Sequence, residues 1–207
     1  MRSYEEFAAE CPLVAILRGI RTEEVEKVCD ALSDGGIRLL EITLNTPGAL
    51  ESISHAVRYV GDRQLVGAGT VLTPDEVDAV AQHGGKFIIS PNTDPAVIRR
   101  TKELGLISIP GFFTPTEAFT AIAAGADYLK CFPAGRFGVG YVKDLKAVVS
   151  KPIYAVGAVG RDNLASFFPI CAGAGIGSAI FKPGKTPDQI RADAAAMVEI
   201  WRSTAAK

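Results

Sequence analysis

The chain has no long hydrophobic run. No stretch approaches the roughly 20 consecutive apolar residues of a membrane-spanning helix, so no spanning segment is expected. It also lacks a charge excess of either sign. Lys and Arg total 22 against 23 Asp and Glu, a formal net charge of −1. With no basic run, the sequence carries no electrostatic footprint for nucleic acid or for an anionic membrane surface. Small anionic ligands stay compatible, because they need only local positive charge. Histidine is limited to two residues, His55 and His83. Both fall in helical segments without metal-ligand spacing, and both are expected at the surface with no metal site. Cys11, Cys29, Cys131 and Cys171 are scattered with no Cys-x-x-Cys pair, which excludes a zinc ribbon and a disulfide scaffold on spacing. They read as reduced thiols of a cytoplasmic protein. The N-terminal residues Met1 to Glu6 are acidic and offer no apolar core for a secretory signal.

What the chain does have is alternation. Its 207 residues, 48% hydrophobic, suffice for one hydrophobic core and fall short of two ordinary domains, so a single domain over 1–207 is expected. Short apolar runs recur at 13–17, 39–44, 65–71, 87–89, 106–109, 128–132, 153–156 and 173–181, usually ending at Gly, Pro, Asn or Thr. Amphipathic segments lie between them. Thr22, Thr73, Asp94, Thr114 and Thr186 open these segments as N-caps, four of them followed directly by proline. Glycines at 35–36, 84–85, 105 and 125 close them. The last helix is expected to end near Arg202. About eight strand-plus-helix units with strands apolar on both faces predict a parallel sheet, closing as a (β/α)8 TIM barrel. A doubly wound open sheet is the alternative, but the first strand leads into Arg18-Gly19-Ile20-Arg21 with no pyrophosphate fingerprint.

In such a barrel the functional face lies at the C-terminal ends of the strands. Three ionisable residues interrupt apolar strands there. Lys130 sits within the sixth run; burial lowers an amine's pKa, and a neutral amine attacks carbonyl carbon. The alternative is a lysine reaching from a strand end into an ion pair. Glu41 sits within the second run and suits a general acid/base, or else half of a structural salt bridge with Lys130 or Arg18. Arg18 ends the first run and can fork a substrate carboxylate or simply hold Glu41. A Lys, a Glu and an Arg on separate strands at one mouth point to an anionic carbonyl substrate. Separately, Gly157-Ala158 after the seventh run and Gly177-Ser178 in the eighth match the position where such barrels bind phosphate through backbone N–H groups. The other reading of these glycines is relief of crowding at strand ends. Thr70 is a candidate donor to a substrate carboxylate or a core threonine. Cys131 alternates with Lys130 and so points into packing. Phe112 and Phe113 line the mouth or pack conventionally.

Leu17-Arg18-Gly19, Glu41-Ile42-Thr43-Leu44-Asn45-Thr46-Pro47, Val66-Gly67-Ala68-Gly69-Thr70, Ile89-Ser90-Pro91-Asn92, Ile109-Pro110-Gly111 and Leu129-Lys130-Cys131-Phe132-Pro133-Ala134 follow one another over nearly the whole chain. Together they resemble the bacterial class I aldolases that cleave 2-keto-3-deoxy-6-phospho sugar acids. The resemblance implies cleavage to pyruvate and D-glyceraldehyde 3-phosphate, in a cytoplasmic homotrimer of barrels, with no metal or organic cofactor. It implies Lys130 as the Schiff-base lysine and Glu41 as the acid/base. Arg18 and Thr70 fall at the substrate carboxylate, and Gly157, Gly177 and Ser178 in the phosphate loops. Asn45 stands where gluconate-specific relatives usually carry Arg, which favours the galactonate epimer; 4-hydroxy-2-oxoglutarate is the variant lacking phosphate. Ala158 replaces the second glycine of the family's pair, Gly160 follows where Ser or Thr is usual, and Phe112-Phe113 replace smaller residues, so a weaker phosphate grip and a narrower mouth are expected. A phosphate-binding isomerase barrel and a non-catalytic sugar-acid sensor are the competing readings.

Overall fold

The computed structural model describes residues 2–205. Nine strands form one sheet: β1 (Leu13–Ile16), β2 (Leu39–Thr43), β3 (Leu65–Gly69), β4 (Phe87–Ile89), β5 (Ile107–Ile109), β6 (Gly111–Phe112), β7 (Leu129–Cys131), β8 (Ile153–Val156) and β9 (Gly173–Ile176). Every pairing is parallel, in the order β5-β4-β3-β2-β1-β9-β8-β7-β6. The two end strands are consecutive in sequence and separated only by Pro110. They are one barrel stave broken where proline has no N–H to give to the ladder. Pro110 still accepts from the Lys130 N–H at 2.8 Å, and the Ser108 carbonyl accepts from Asp127 N–H at 3.0 Å. The Ser108 N–H in turn donates to the Asp127 carboxylate at 2.8 Å. These bonds close the barrel, so eight sequence runs become nine strands in a (β/α)8 arrangement.

The helices are α1 (Tyr4–Glu10), α2 (Val25–Asp34), α3 (Ala49–Val60), α4 (Pro74–Gln82), α5 (Pro95–Glu103), α6 (Pro115–Ala124), α7 (Ala134–Lys146), α8 (Leu164–Phe167) and α9 (Pro187–Ala205). Thr73 and Thr114 form capping boxes with Glu76 and Glu117, and Asp94 caps α5 through the Ala96 N–H. Thr186 and Gln189 exchange the same reciprocal bonds before α9. The expected cap at Thr22 differs. Glu24 reaches back to Arg21 instead, and residues 22–24 form a 3-10 turn before α2 begins. The final helix runs past Arg202 to Ala205. The sequence reading did not anticipate α1, although Ser3 and Glu6 form a capping box that signals it.

Period-two alternation divides the strands into two cores. Leu40 and Ile42 of β2, and Leu129 and Cys131 of β7, face outward into the layer between sheet and helices. Val14, Ile16, Leu39, Leu65, Phe87, Ile89, Ile109, Tyr154 and Val156 fill the barrel lumen. Tyr4 and Phe7 of α1 join this inner cluster and close its N-terminal end, with Tyr4 edge-on to Phe87 at 5.6 Å. One mouth is thus stoppered by apolar side chains, and the polar residues of the lumen collect toward the other.

Candidate active site

The same alternation that sends Leu40, Ile42, Leu129 and Cys131 outward sends Glu41 and Lys130 into the lumen. Lys130 is 6% exposed and Glu41 2% exposed. Lys130 forms the floor of a cavity at the C-terminal mouth, whose wall includes Arg18, Thr70, Gly157, Ala158, Gly177 and Ser178. Seven of the eight residues singled out from the sequence therefore share one cavity. Glu41, the eighth, lies deeper in the lumen against β3. Gly69 makes that position available, since a Cβ there would sit 1.7 Å from the Glu41 Oε1.

Neither buried charge is neutralised by contact. No ion pair joins Glu41 to Lys130 or to Arg18 among the described residues. The Lys130 Nζ lies 5.2 Å over the ring of Phe132, within reach of a cation–π contact. Burial pushes the Lys130 amine below its usual range, reinforced by Arg18 and opposed by Glu41. Burial likewise pushes the Glu41 carboxyl up, against the pull of Lys130 and Arg18. Both directions bring the proton affinities of the amine and the carboxyl closer together, so burial loosens the proton on Lys130 and tightens it on Glu41.

Arg18 lies beyond the end of β1, is exposed, and donates to the Asn45 Oδ1 at 2.7 Å. This corrects the expectation that it holds Glu41: its guanidinium is anchored at the rim by Asn45 and acts on the lumen only through its field. Thr70 has φ 58° and Ala158 φ 54°, the two non-glycine residues in the left-handed region among the described residues. Both line the cavity, and such strain tends to gather at functional sites. The loop after β8 is fixed by Asn163, whose side chain donates to the Ala158 carbonyl and accepts from the Gly160 N–H, both at 2.9 Å. After β9 the chain leaves the strand at Gly177 and makes a single turn closed by Ile180 and Phe181 N–H on the Gly177 carbonyl, each at 2.9 Å. The apolar run at 173–181 is therefore half strand and half turn.

Of the two readings of Phe112 and Phe113, the packing one holds. Phe112 is buried in the outer core, and Phe113 stacks on Tyr141 at 4.7 Å. The phenylalanines that line the cavity are Phe132 and Phe181. His55 and His83 are partly exposed at the surface, as expected: His55 Nε2 meets Glu26 at 2.9 Å, and His83 Nδ1 meets the Ala79 carbonyl at 2.7 Å. Cys131 is buried as expected, its thiol pushed up to about 12 by desolvation. Sequence reasoning passed over Lys182, which also lines the cavity, because an exposed lysine in a Pro/Gly turn has no local signature. Chemically, the arrangement offers an amine whose proton burial loosens, a carboxyl whose proton burial tightens, and cations with open backbone at the rim.

The family model described as "Aldolase: KDPG and KHG aldolase" matches residues 5–196. The chain is 44% identical over 200 residues to the Escherichia coli 2-dehydro-3-deoxy-6-phosphogalactonate aldolase, covering 95% of this chain and 98% of that protein. Among solved structures, one described as native KDPGal superposes with a TM-score of 0.93 at 43% identity, covering 96% of this chain and 98% of the other. The KDPG aldolase of Legionella pneumophila, with pyruvate captured as a covalent carbinolamine, superposes with a TM-score of 0.82 at 25% identity over 98% of each chain.

Proposed function

Because this chain belongs to the KDPG and KHG aldolase family, we propose that it cleaves 2-dehydro-3-deoxy-6-phosphogalactonate to pyruvate and D-glyceraldehyde 3-phosphate, with Lys130 as the imine-forming amine. The activity is that of a carbon–carbon lyase on a phosphorylated keto-deoxy sugar acid. One observation carries the assignment of the nucleophile: Lys130 is a buried amine without an ion pair, held below its usual pKa at the floor of the cavity.

In this reading the Lys130 Nζ attacks the C2 ketone, and loss of water leaves a protonated imine. Glu41, uncharged beside the free amine, supplies the proton to the departing hydroxyl and becomes a carboxylate. The iminium is now the cation of the pair, so the carboxylate is stabilised at the moment a base is needed. It takes the C4 hydroxyl proton as the C3–C4 bond breaks and the electron pair moves into the iminium, releasing the aldehyde and leaving an enamine. Protonation at C3 and hydrolysis then release pyruvate and restore the amine. Arg18, tethered by Asn45, meets the substrate carboxylate, Thr70 donates to the same end, and Gly157, Ala158, Gly177 and Ser178 receive the phosphate. The cytoplasmic homotrimer belongs to the same proposal and rests on the resemblance alone.

Borohydride reduction in the presence of pyruvate tests the imine. Intact mass and peptide mapping are expected to place one reduced pyruvyl adduct on Lys130. Bound pyruvate without an adduct would remove the class I mechanism.

Gly69 provides a second check. A methyl group there occupies the space of the Glu41 carboxylate, and misplacing a catalytic group by about 1 Å can cost roughly 100-fold in rate. Gly69→Ala is therefore expected to lower kcat for cleavage by about that factor, with pyruvate trapping retained. Wild-type kcat in a folded Gly69→Ala protein would show that Glu41 does not work from this position.

A further inference from the structure

The cavity mouth carries a cation that the chemistry at Lys130 leaves unused. Lys182 lines the cavity, is exposed, and makes no ion pair or side-chain hydrogen bond among the described residues. The basic groups around it are engaged. The Lys185 Nζ meets Asp193 at 2.6 Å and the carbonyls of Ala179 and Ile180 at 3.0 and 3.1 Å. Arg161 meets Asp193 at 2.8 Å, and Arg18 is bonded to Asn45. Lys185 thereby fastens the single turn that follows Gly177. On the other side Pro183 packs against Gly19, where a Cβ would lie 3.0 Å from the proline ring. The two contacts hold the segment bearing Lys182 between the turn and the strand end that carries Arg18.

The substrate class has two anionic ends. Imine formation at C2 places the carboxylate beside Lys130 and sends the phosphate outward. The two rim cations are not equivalent with respect to that axis. Arg18 acts on both Glu41 and Lys130 through its field, whereas Lys182 follows directly on the single turn that begins at Gly177 and carries Ser178. Arg18 is thus the cation of the reacting end, and Lys182 the cation on the Gly177–Ser178 side of the cavity.

We propose that Lys182 is the specificity-determining cation for the distal phosphate of the substrate, leaving Arg18 to the carboxylate. This rests on the aldolase reading above. The assignment also answers the departure at Ala158: backbone N–H groups and the Ser178 hydroxyl give direction to a phosphate, and a flexible lysine supplies the point charge.

The experiment compares Lys182→Gln and Lys182→Arg with the wild type in the condensation direction, pairing pyruvate with D-glyceraldehyde 3-phosphate or with D-glyceraldehyde. Lys182→Gln is expected to raise KM for the phosphorylated aldehyde by about 10- to 100-fold, the range of a hydrogen bond to a charged group. Its kinetics with D-glyceraldehyde should be unchanged, and Lys182→Arg should restore most of the loss. An equal effect on both aldehydes, or no effect on either, overturns the assignment. Calorimetry with sn-glycerol 3-phosphate adds a readout independent of turnover: binding should weaken in Lys182→Gln, and equal binding overturns the proposal. Pyruvate trapping on wild-type Lys130 requires no phosphate, so its failure would strike the aldolase reading separately.

Discussion

Replacing Lys130 by methionine should lower kcat for cleavage by on the order of 10⁵-fold or more, the scale on which loss of a covalent nucleophile acts. It should also abolish the borohydride adduct with pyruvate. The same substitution is expected to make the protein more stable. Lys130 is buried with its amine below the ordinary lysine value of 10.5, so the unfolded chain holds that proton more tightly than the native one, and folding works against it. Met fills a similar volume without the desolvation cost, for a gain of about 1 kcal/mol or more at neutral pH. The sign follows from linkage. Unfolding takes up a proton wherever the unfolded amine is charged and the native one is not. The advantage of Met is therefore complete below the lowered native pKa of the amine, shrinks as pH rises above it, and is gone beyond the ordinary value of 10.5. A melting temperature measured across pH, alongside kcat, checks both halves. A variant that keeps its activity would remove Lys130 from the chemistry. One that loses activity and stability together would mean that the lysine is a structural ion-pair member.

The second large effect is expected at Glu41. Glu41→Gln preserves shape and removes only proton exchange, so kcat should fall by about 10²- to 10⁴-fold. The adduct of pyruvate on Lys130 should still form, more slowly. The pH profile gives a sharper signature. Only an ionised Glu41 supports the charged form of Lys130, and in the uncharged pair glutamine replaces a carboxyl that is already neutral. The acid limb of kcat/KM, which reports protonation of Lys130, should accordingly stay in place, and the alkaline limb set by the carboxyl should vanish. A profile superimposable on the wild type, with kcat within a few-fold, would show that another group moves the proton. Because the two sites interact, the limbs of the wild-type profile belong to the pair rather than to either residue.

The stability cost that Lys130→Met would relieve arises where local rules are broken. Elsewhere the strands are largely apolar, as burial on both faces demands; among the described residues β2 and β7 are the strands that place a carboxyl or an amine on the inward register. A lysine and a glutamate at such positions are costly to fold around, and that cost is what lowers one pKa and raises the other. The property that makes the pair reactive is the property that makes it legible.

Much of the fold was decided by sequence-local physics. The apolar runs, the Thr-Pro and Asp-Pro starts and the glycine stops set the βα repeat. Alternation then put Lys130 and Glu41 on the face opposite Cys131 and Ile42 without reference to any distant contact. Tertiary structure decided everything that depends on which groups meet across the barrel. Arg18 found Asn45 rather than Glu41 because the end of β1 carries it past the lumen to the rim. Gly69 proved to be the space for a carboxylate on the neighbouring strand. Phe112 turned outward because Pro110 breaks its stave and β6 pairs with β7 in a register that buries it against the helices. Lys182 and Lys185 are indistinguishable in sequence, three residues apart in one turn. Asp193, brought in by α9, engages one and leaves the other facing the cavity. Periodicity reveals which face a side chain takes, because it is set by the backbone of a single strand. The partner it meets there is set by registers and crossovers that only the closed barrel fixes.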